Sequence, residues 1–233
     1  MNFDFKIIIP VKGNSERVKN KNSLPFGDKP TMLEWKISQL LEVFKPEDIV
    51  ISTDCEAFKQ IAKQYGTLLH ERKDIRFSEQ NHPQYSFADL QVDIFSNFDV
   101  EHFIWAQTTS PLVSPNLYKE ACLAYKAKVI ESKEYDSLTF VNTTQEFFWN
   151  DVKAINYEAN SKMPASQTLP IWYRMTHGIY MIPKELALKN RYYCGVNPYK
   201  MEVSKLAGFD IDTPEDYEIC KALYPLYLEK NKK

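Results

Sequence analysis

Short apolar runs and amphipathic stretches alternate along the first 130 residues. The run Phe5 to Val11, closed by Pro10, has the continuous hydrophobicity of a strand covered on both faces of a parallel sheet. Thr31 to Val43 places Met32, Trp35, Ile37, Leu40 and Leu41 at near-helical spacing behind Pro30, and Asp48 to Ser52 is again strand-like. Glu56 to Tyr65 puts Phe58, Ile61, Ala62 and Tyr65 on one helical face before Gly66 stops it. The pattern then predicts a strand at Thr67 to His70, a helix at Ser86 to Phe95 and a strand at Phe103 to Gln107. Ser114 and Pro115 open a helix reaching about Val129. This alternation is that of an α/β fold.

The rhythm changes after Asp136. Ser137 to Val141 reads as a strand, whereas Asn142 to Pro170 is polar and aromatic with few periodic runs, as expected of an inserted arm or hairpin. Gly178 to Ile182 predicts a strand, Pro183 to Lys189 a short helix, and Lys205 to Phe209 the end of a further strand. Thr213 and Pro214 start a terminal amphipathic helix to Tyr227. The resulting division is a core of 1–141 and 177–233 with an inserted segment at 142–176, and Lys230 to Lys233 is the one tail-like stretch.

Composition narrows the class. The chain has 233 residues, 44% hydrophobic and 26% charged, enough to bury one full core. With 29 basic and 31 acidic residues it carries a formal charge of −2, so no global field favours nucleic acid or an anionic membrane. An anion must be bound locally. Cys55, Cys122, Cys194 and Cys220 have no metal-site or redox spacing, MNFDFKIIIP lacks signal-peptide features, and no apolar run is long enough to span a bilayer. A reduced, cytoplasmic protein is expected.

Three segments carry candidate chemistry. Directly after the first strand, the stretch Lys12 to Asn22 holds Lys12, Arg17, Lys19 and Lys21 among small polar residues. At the carboxyl end of a strand in an open α/β sheet, such a loop can wrap a polyphosphate, or it can be merely a solvated basic loop. It is neither a Walker A loop nor a dinucleotide fingerprint. Asp210-Ile211-Asp212 projects two carboxylates to one side of an extended chain, which suits Mg²⁺ but also an acidic helix cap. Gln107-Thr108-Thr109-Ser110-Pro111-Leu112 follows a central strand and offers amide and hydroxyl groups for reading a ligand, or for capping.

Taken in order, these segments resemble the acylneuraminate cytidylyltransferase family, the enzymes that make CMP-sialic acid and related CMP-nonulosonates. The resemblance spans nearly the whole chain. It rests on Ile9-Pro10-Val11-Lys12 with Ser15, Arg17 and Lys21-Asn22, on Val50-Ile51-Ser52-Thr53-Asp54, and on the Gln107 to Leu112 segment. Tyr135-Asp136-Ser137, Leu169-Pro170 with Arg174, and Asp210-Ile211-Asp212-Thr213 complete it. It implies a Rossmann-like nucleotide-diphospho-sugar transferase fold, a mixed, mostly parallel sheet flanked by helices, and a homodimer whose inserted arm reaches the neighbour's site.

The resemblance also implies roles. Lys12, Ser15, Arg17, Lys21, Asn22, Arg72 and Ser86 correspond to CTP contacts, with Lys21 the cation nearest the α-phosphate and, with Asp210 and Asp212, the catalytic set. Asp210 and Asp212 correspond to Mg²⁺ ligands, and Gln107, Arg174 and His177 to the acidic-sugar side. Three departures stand out: Lys12 where the family usually has arginine, Ala165-Ser166-Gln167 where another arginine is common, and Thr176-His177-Gly178-Ile179-Tyr180 for the usual Asn-Gly-Ala-Ile-Tyr. The nucleotide half therefore matches better than the sugar half. Related alternatives are a CMP-Kdo synthetase or a cytidylyltransferase for another acidic acceptor. A metal-dependent GT-A glycosyltransferase or a non-catalytic nucleotide-binding homologue would be a different class.

Overall fold

A computed structural model describes residues 3–15, 17–79 and 82–231. The elements run in order β1 (Phe5–Pro10), α1 (Met32–Leu41), β2 (Ile49–Thr53), α2 (Glu56–Gln64), β3 (Leu68–Glu71), α3 (Phe87–Ser96) and β4 (His102–Trp105). They continue with α4 (Pro115–Tyr125), β5 (Ser137–Thr144), β6 (Trp172–Pro183), α5 (Lys184–Asn190), β7 (Pro198–Glu202) and α6 (Pro214–Lys230). Lys232 and Lys233 of the expected tail lie outside the described residues, and Lys230 closes α6.

One seven-stranded sheet orders these strands β3-β2-β1-β4-β6-β5-β7. β6 alone runs antiparallel to its neighbours β4 and β5; the other pairings are parallel. The continuous apolar character of β1 follows from burial on both faces. Ile7 and Ile9 pack with Leu33, Ile37 and Leu40 of α1, Phe58 of α2 and Tyr118 and Ala121 of α4. Ile8, one residue out of phase, packs with Leu90, Ile94 and Phe95 of α3 and Ala187 of α5 on the other side. Each such buried isoleucine contributes roughly 1.5–3 kcal/mol relative to exposure. A third cluster joins Val18, Phe26, Trp35 and Leu112 to Ile211, Tyr217 and Tyr227, fastening α6 beneath the loop that follows β1.

Most expected helix starts hold: Thr31, Ser86, Ser114 and Thr213 each accept a first-turn N–H. The elements differ from the expected pattern in four places. α4 ends at Tyr125, and a π-helical turn, Lys126–Glu131, carries the chain past Val129. Lys205 to Phe209 forms a turn rather than a strand end, with Gly208 N bonding back to Ser204 O at 2.9 Å. The strand of this region is β7, unread in the sequence because Pro198 to Glu202 is short, half exposed and without a clean apolar alternation. Finally, β5 and β6 remain paired out to Thr144 and Trp172, so that 145–171 is the stretch outside the sheet. That stretch leaves from the same sheet edge as the carboxyl ends of β1, β2 and β4.

Candidate active site

The cleft at this edge begins where β1 runs out of sheet partners. Val11 N still reaches Ser52 O at 2.9 Å, after which the chain turns over the end of β2 and Gly13 N donates to Asp54 Oδ1 at 3.2 Å. A Cβ at Gly13 would stand 2.9 Å from Cys55 Cβ, so the close approach needs glycine. Asn20 adopts the left-handed conformation that asparagine tolerates (φ 52°) and turns the chain into Lys21 and Asn22. Asn22 is a clamp: its Nδ2 donates to Lys12 O at 3.1 Å, and its Oδ1 accepts from Thr108 Oγ1 at 2.7 Å. The basic loop and the turn after β4 are thereby one rigid unit.

The Asp210 to Asp212 segment joins the same unit. Ile211 N donates to Thr109 O at 2.9 Å, and Ile211 O accepts Lys21 Nζ at 2.5 Å. With Ile211 buried in the third cluster, the two flanking aspartates face the other way, as alternation requires. Their surroundings differ. Burial pushes the Asp210 carboxyl above the usual carboxylate range, against the pull of Thr109, His177 and Lys21, and its Oδ1 stands 3.5 Å from Ser110 Oγ. Asp212 is more open and pairs with Arg17 at 2.8 Å, an exposed ion pair of small worth that a ligand can displace. Burial lowers the Lys21 ammonium, with Asp210 and Asp212 opposing the shift.

Arg72 follows β3 and is nearly buried. Its Nε donates to Ser52 Oγ at 3.1 Å, Nη2 to Ser52 O at 3.0 Å and Nη1 to Phe77 O at 3.3 Å. Burial pushes its pKa down to about 10, against the pull of Asp54, which leaves it cationic at neutral pH. Lys12, Ser15, Arg17, Lys21, Asn22, Arg72 and Gln107 thus line one cleft, with Thr108 and Thr109 beside them.

Asp210 and Asp212 are not among the lining residues and join the cleft through Lys21 and Arg17, and three further expected site residues stand elsewhere. Ser86 lies next to the wall formed by Tyr85 and Phe87, and its hydroxyl caps α3 by accepting Asp89 N at 3.1 Å. Arg174 sits at the root of the 145–171 segment, in a depression shared with Asn142, Trp172, Tyr173 and Lys205. There its Nη2 donates to Asn142 Oδ1 at 2.8 Å and Gly208 O at 2.9 Å. His177 occupies a bulge in β6, where the register to β5 shifts between Thr139 and Val141. Its φ of 58° is left-handed, and its Nδ1 is 2.7 Å from Tyr180 Oη. Strain of this kind on a side chain other than glycine or asparagine is maintained only by its surroundings.

Sequence reading missed two parts of the site. The first is an apolar wall of Phe77, Phe87, Leu90 and Trp105; the pattern places Phe87 and Leu90 in a helix and Trp105 in a strand, and gives Phe77 no element. The second is the bracing of the Gln107 to Leu112 turn from behind by α1. Trp35 Nε1 and Gln39 Nε2 each donate to Pro111 O at 2.8 Å. The fully buried Lys36 donates to Ser110 O at 2.9 Å and Tyr118 Oη at 2.8 Å. Burial pushes the Lys36 ammonium down to about 7. The available signal was a lysine between Trp35 and Ile37 on an apolar helix.

Residues 6–233 match the family model described as cytidylyltransferase. The chain belongs to the cytidylyltransferase family. Among curated relatives, an N-acylneuraminate cytidylyltransferase of Streptococcus agalactiae is 27% identical over 217 residues, covering 90% of this chain and 51% of the relative. This member of the family therefore spans about half the length of that relative. A pseudaminic acid cytidylyltransferase of Campylobacter jejuni is 24% identical, with 93% and 94% covered. A CMP-N,N'-diacetyllegionaminic acid synthase of Legionella pneumophila is 24% identical, with 95% and 97% covered. The solved structure of a CMP:2-keto-3-deoxy-manno-octonic acid synthetase with CTP superposes at a TM-score of 0.64, with 18% identity and 95% and 98% covered. That likeness confirms the Rossmann-like fold. Among the described residues no helix is long and apolar enough to cross a membrane.

Proposed function

We propose that this family member couples CTP to an acidic 2-keto sugar, a sialic acid or related nonulosonate, giving a CMP-sugar and pyrophosphate. The observation that carries the reading is the seating of Lys21 Nζ on Ile211 O, within the electrostatic reach of Asp210 and Asp212, in a cleft that Lys21 lines together with Lys12, Arg17 and Arg72. The arrangement alternates cations with carboxylates at the carboxyl edge of a parallel sheet, where phosphates bind in open α/β folds. The names of three relatives, cytidylyltransferases of N-acylneuraminate and of pseudaminic acid and a CMP-N,N'-diacetyllegionaminic acid synthase, point the same way.

In this reading the anomeric hydroxyl oxygen of the sugar attacks the α-phosphorus of CTP in line. The new O–P bond forms as the bond to the bridging oxygen breaks, that electron pair leaves with pyrophosphate, and the hydroxyl proton is released to solvent. The chain's contribution is positioning and charge neutralisation. Lys12, Ser15, Arg17 and Arg72 hold the triphosphate, Lys21 faces the α-phosphate, and Asn22 keeps the loop closed on the β4 turn. Asp210 and Asp212 fit Mg²⁺ as a pair, since this ion takes one or two carboxylates and completes its shell with phosphate and water. The like-charge coupling between them and the burial of Asp210 are what a cation would relieve. Mg²⁺ so held would neutralise charge on the phosphoryl oxygens.

Gln107 is the sugar-side residue inside the cleft. Arg174 and His177 face the acceptor from outside it, and we assign the 142–176 insertion to acceptor recognition and to pairing of two copies. Support for pairing is the apolar surface of its tip: Trp149 is 59% and Val152 85% exposed, with Met163 and Ile171 exposed nearby. Four free cysteines fit a reducing cytoplasm.

The test is pyrophosphate release with CTP, Mg²⁺ and a panel of 2-keto acid sugars that includes the eight-carbon 3-deoxy-octulosonate. Release that depends on a nine-carbon sugar is expected. Release with the octulosonate alone would move the substrate class, and no sugar-dependent release at all would overturn the reading.

A further inference from the structure

Behind Arg72 lies a buried polar chain with a single direction. Ser52, fully buried in β2, accepts Arg72 Nε–H at 3.1 Å, and its Oγ is also 3.1 Å from His70 Nδ1. His70, buried in β3, places Nε2 3.0 Å from Asp93 Oδ2 on α3, and the other carboxylate oxygen, Asp93 Oδ1, is 3.5 Å from Asn97 Nδ2. A carboxylate offers only acceptors, so the one N–H of a neutral imidazole belongs on Nε2. Nδ1 is then an acceptor and takes the Ser52 hydroxyl proton. The lone pairs of Ser52 Oγ are left for Arg72. Burial keeps His70 in this neutral form by lowering its pKa, with Arg72 adding to the effect and Asp93 opposing it.

We propose that His70 and Asp93 are positioning residues for Arg72: Asp93 sets the His70 tautomer, His70 orients the Ser52 hydroxyl, and Ser52 aims the guanidinium edge at the nucleotide phosphates in the cleft. The inference rests on the CTP reading above. Without this relay Ser52 could turn its proton toward Arg72, and a donor facing a cation would push the guanidinium out of its plane. The competing role is a structural tie between β3 and α3, which would affect stability and leave nucleotide affinity untouched.

The two are separated by calorimetric titration of CTP with Mg²⁺ and no sugar, alongside thermal unfolding. The proteins are wild type, His70→Leu, His70→Asn, Arg72→Ala and the His70→Leu, Arg72→Ala double variant. His70→Leu is expected to weaken CTP binding about tenfold, a coupling of ordinary size for groups in one hydrogen-bonded network. His70→Asn, whose side-chain oxygen can take the Ser52 proton, is expected to recover most of that loss. In the Arg72→Ala background His70→Leu should change the affinity less than about twofold. If His70→Leu does not fold, Asp93→Asn, on the half-exposed side of the pair, replaces it in the same cycle with a smaller loss expected. An equal loss in both backgrounds, or a lowered melting temperature with unchanged CTP affinity, overturns the positioning role alone. Wild-type chain that binds no CTP overturns the nucleotide reading and this inference with it.

Discussion

The cleft and the 145–171 segment leave the same sheet edge and are held in opposite ways. In the cleft, Lys21 is fixed by Ile211 O and Arg72 by Ser52 O and Phe77 O, and behind it Lys36 is fixed by Ser110 O. Such contacts order the side chains before any ligand arrives. The outer segment is held by its own aromatic contacts, Phe147 with Tyr157 and Phe148 with Trp172, and by Gln145 Nε2 on Leu169 O, while Trp149 and Val152 face outward. Under the proposed function this difference follows from the tasks: chemistry in the cleft requires prior order, whereas recognition of a sugar or a second copy by the outer segment can be completed on contact.

The largest effect should come from the two carboxylates proposed to hold Mg²⁺. Asp212→Asn is expected to lower kcat about a hundredfold or more with little change in melting temperature, because its side chain is half exposed and packs little. Steady-state rates at saturating Mg²⁺ check this; a wild-type kcat would place the metal elsewhere. Lys21→Ala should lower kcat/KM for CTP by a similar order, about a hundredfold, and single-turnover kinetics would show whether chemistry is the slowed step. An unaltered kcat/KM would remove the loop from the phosphate site.

Across the boundary, Arg174→Lys should raise KM for the acidic sugar about tenfold or more and leave KM for CTP nearly unchanged. The planar two-pronged donor is lost, and a charge-assisted contact is worth roughly 1.5–3 kcal/mol. Equal changes for both substrates would erase the distinction between the two regions at this residue.

A smaller effect concerns the brace behind the cleft. The Lys36 pKa is about 7 in the folded protein against 10.5 for the ordinary side chain, so between these values the unfolded chain binds a proton that the folded chain lacks. Stability therefore gains with rising pH across that window and loses as pH falls toward 7, with a maximal slope of about 1.4 kcal/mol per pH unit. Denaturant unfolding from pH 7 to 9 should show this gain in wild type and its absence in Lys36→Met. The smallest effect on folding is expected at the tip of the arm: Val152→Asp should alter unfolding free energy by less than about 0.5 kcal/mol. Sedimentation velocity would nevertheless show fewer dimers, and an unchanged distribution would take this face out of the interface.

Sequence by itself determined the α/β class, because Ile7, Ile8 and Ile9 make β1 apolar toward both faces and the amphipathic helices between strands announce a sheet covered on both sides. The same reasoning found the helix caps and the three motif segments, since caps, turns and strand ends have local chemical signatures. What only the tertiary structure decided is which of those segments meet. The Asn22 clamp to Thr108, the seating of Lys21 on Ile211, and the Ile211 bond to Thr109 join residues 86, 190 and 102 positions apart. It also decided that Ser86 turns inward as a cap, that Arg174 stands in a separate depression, and that His70 and Lys36 serve as buried polar braces. These outcomes depend on burial and on long-range hydrogen-bond pairing, which are properties of the assembled sheet and its helices and have no period or spacing along the chain.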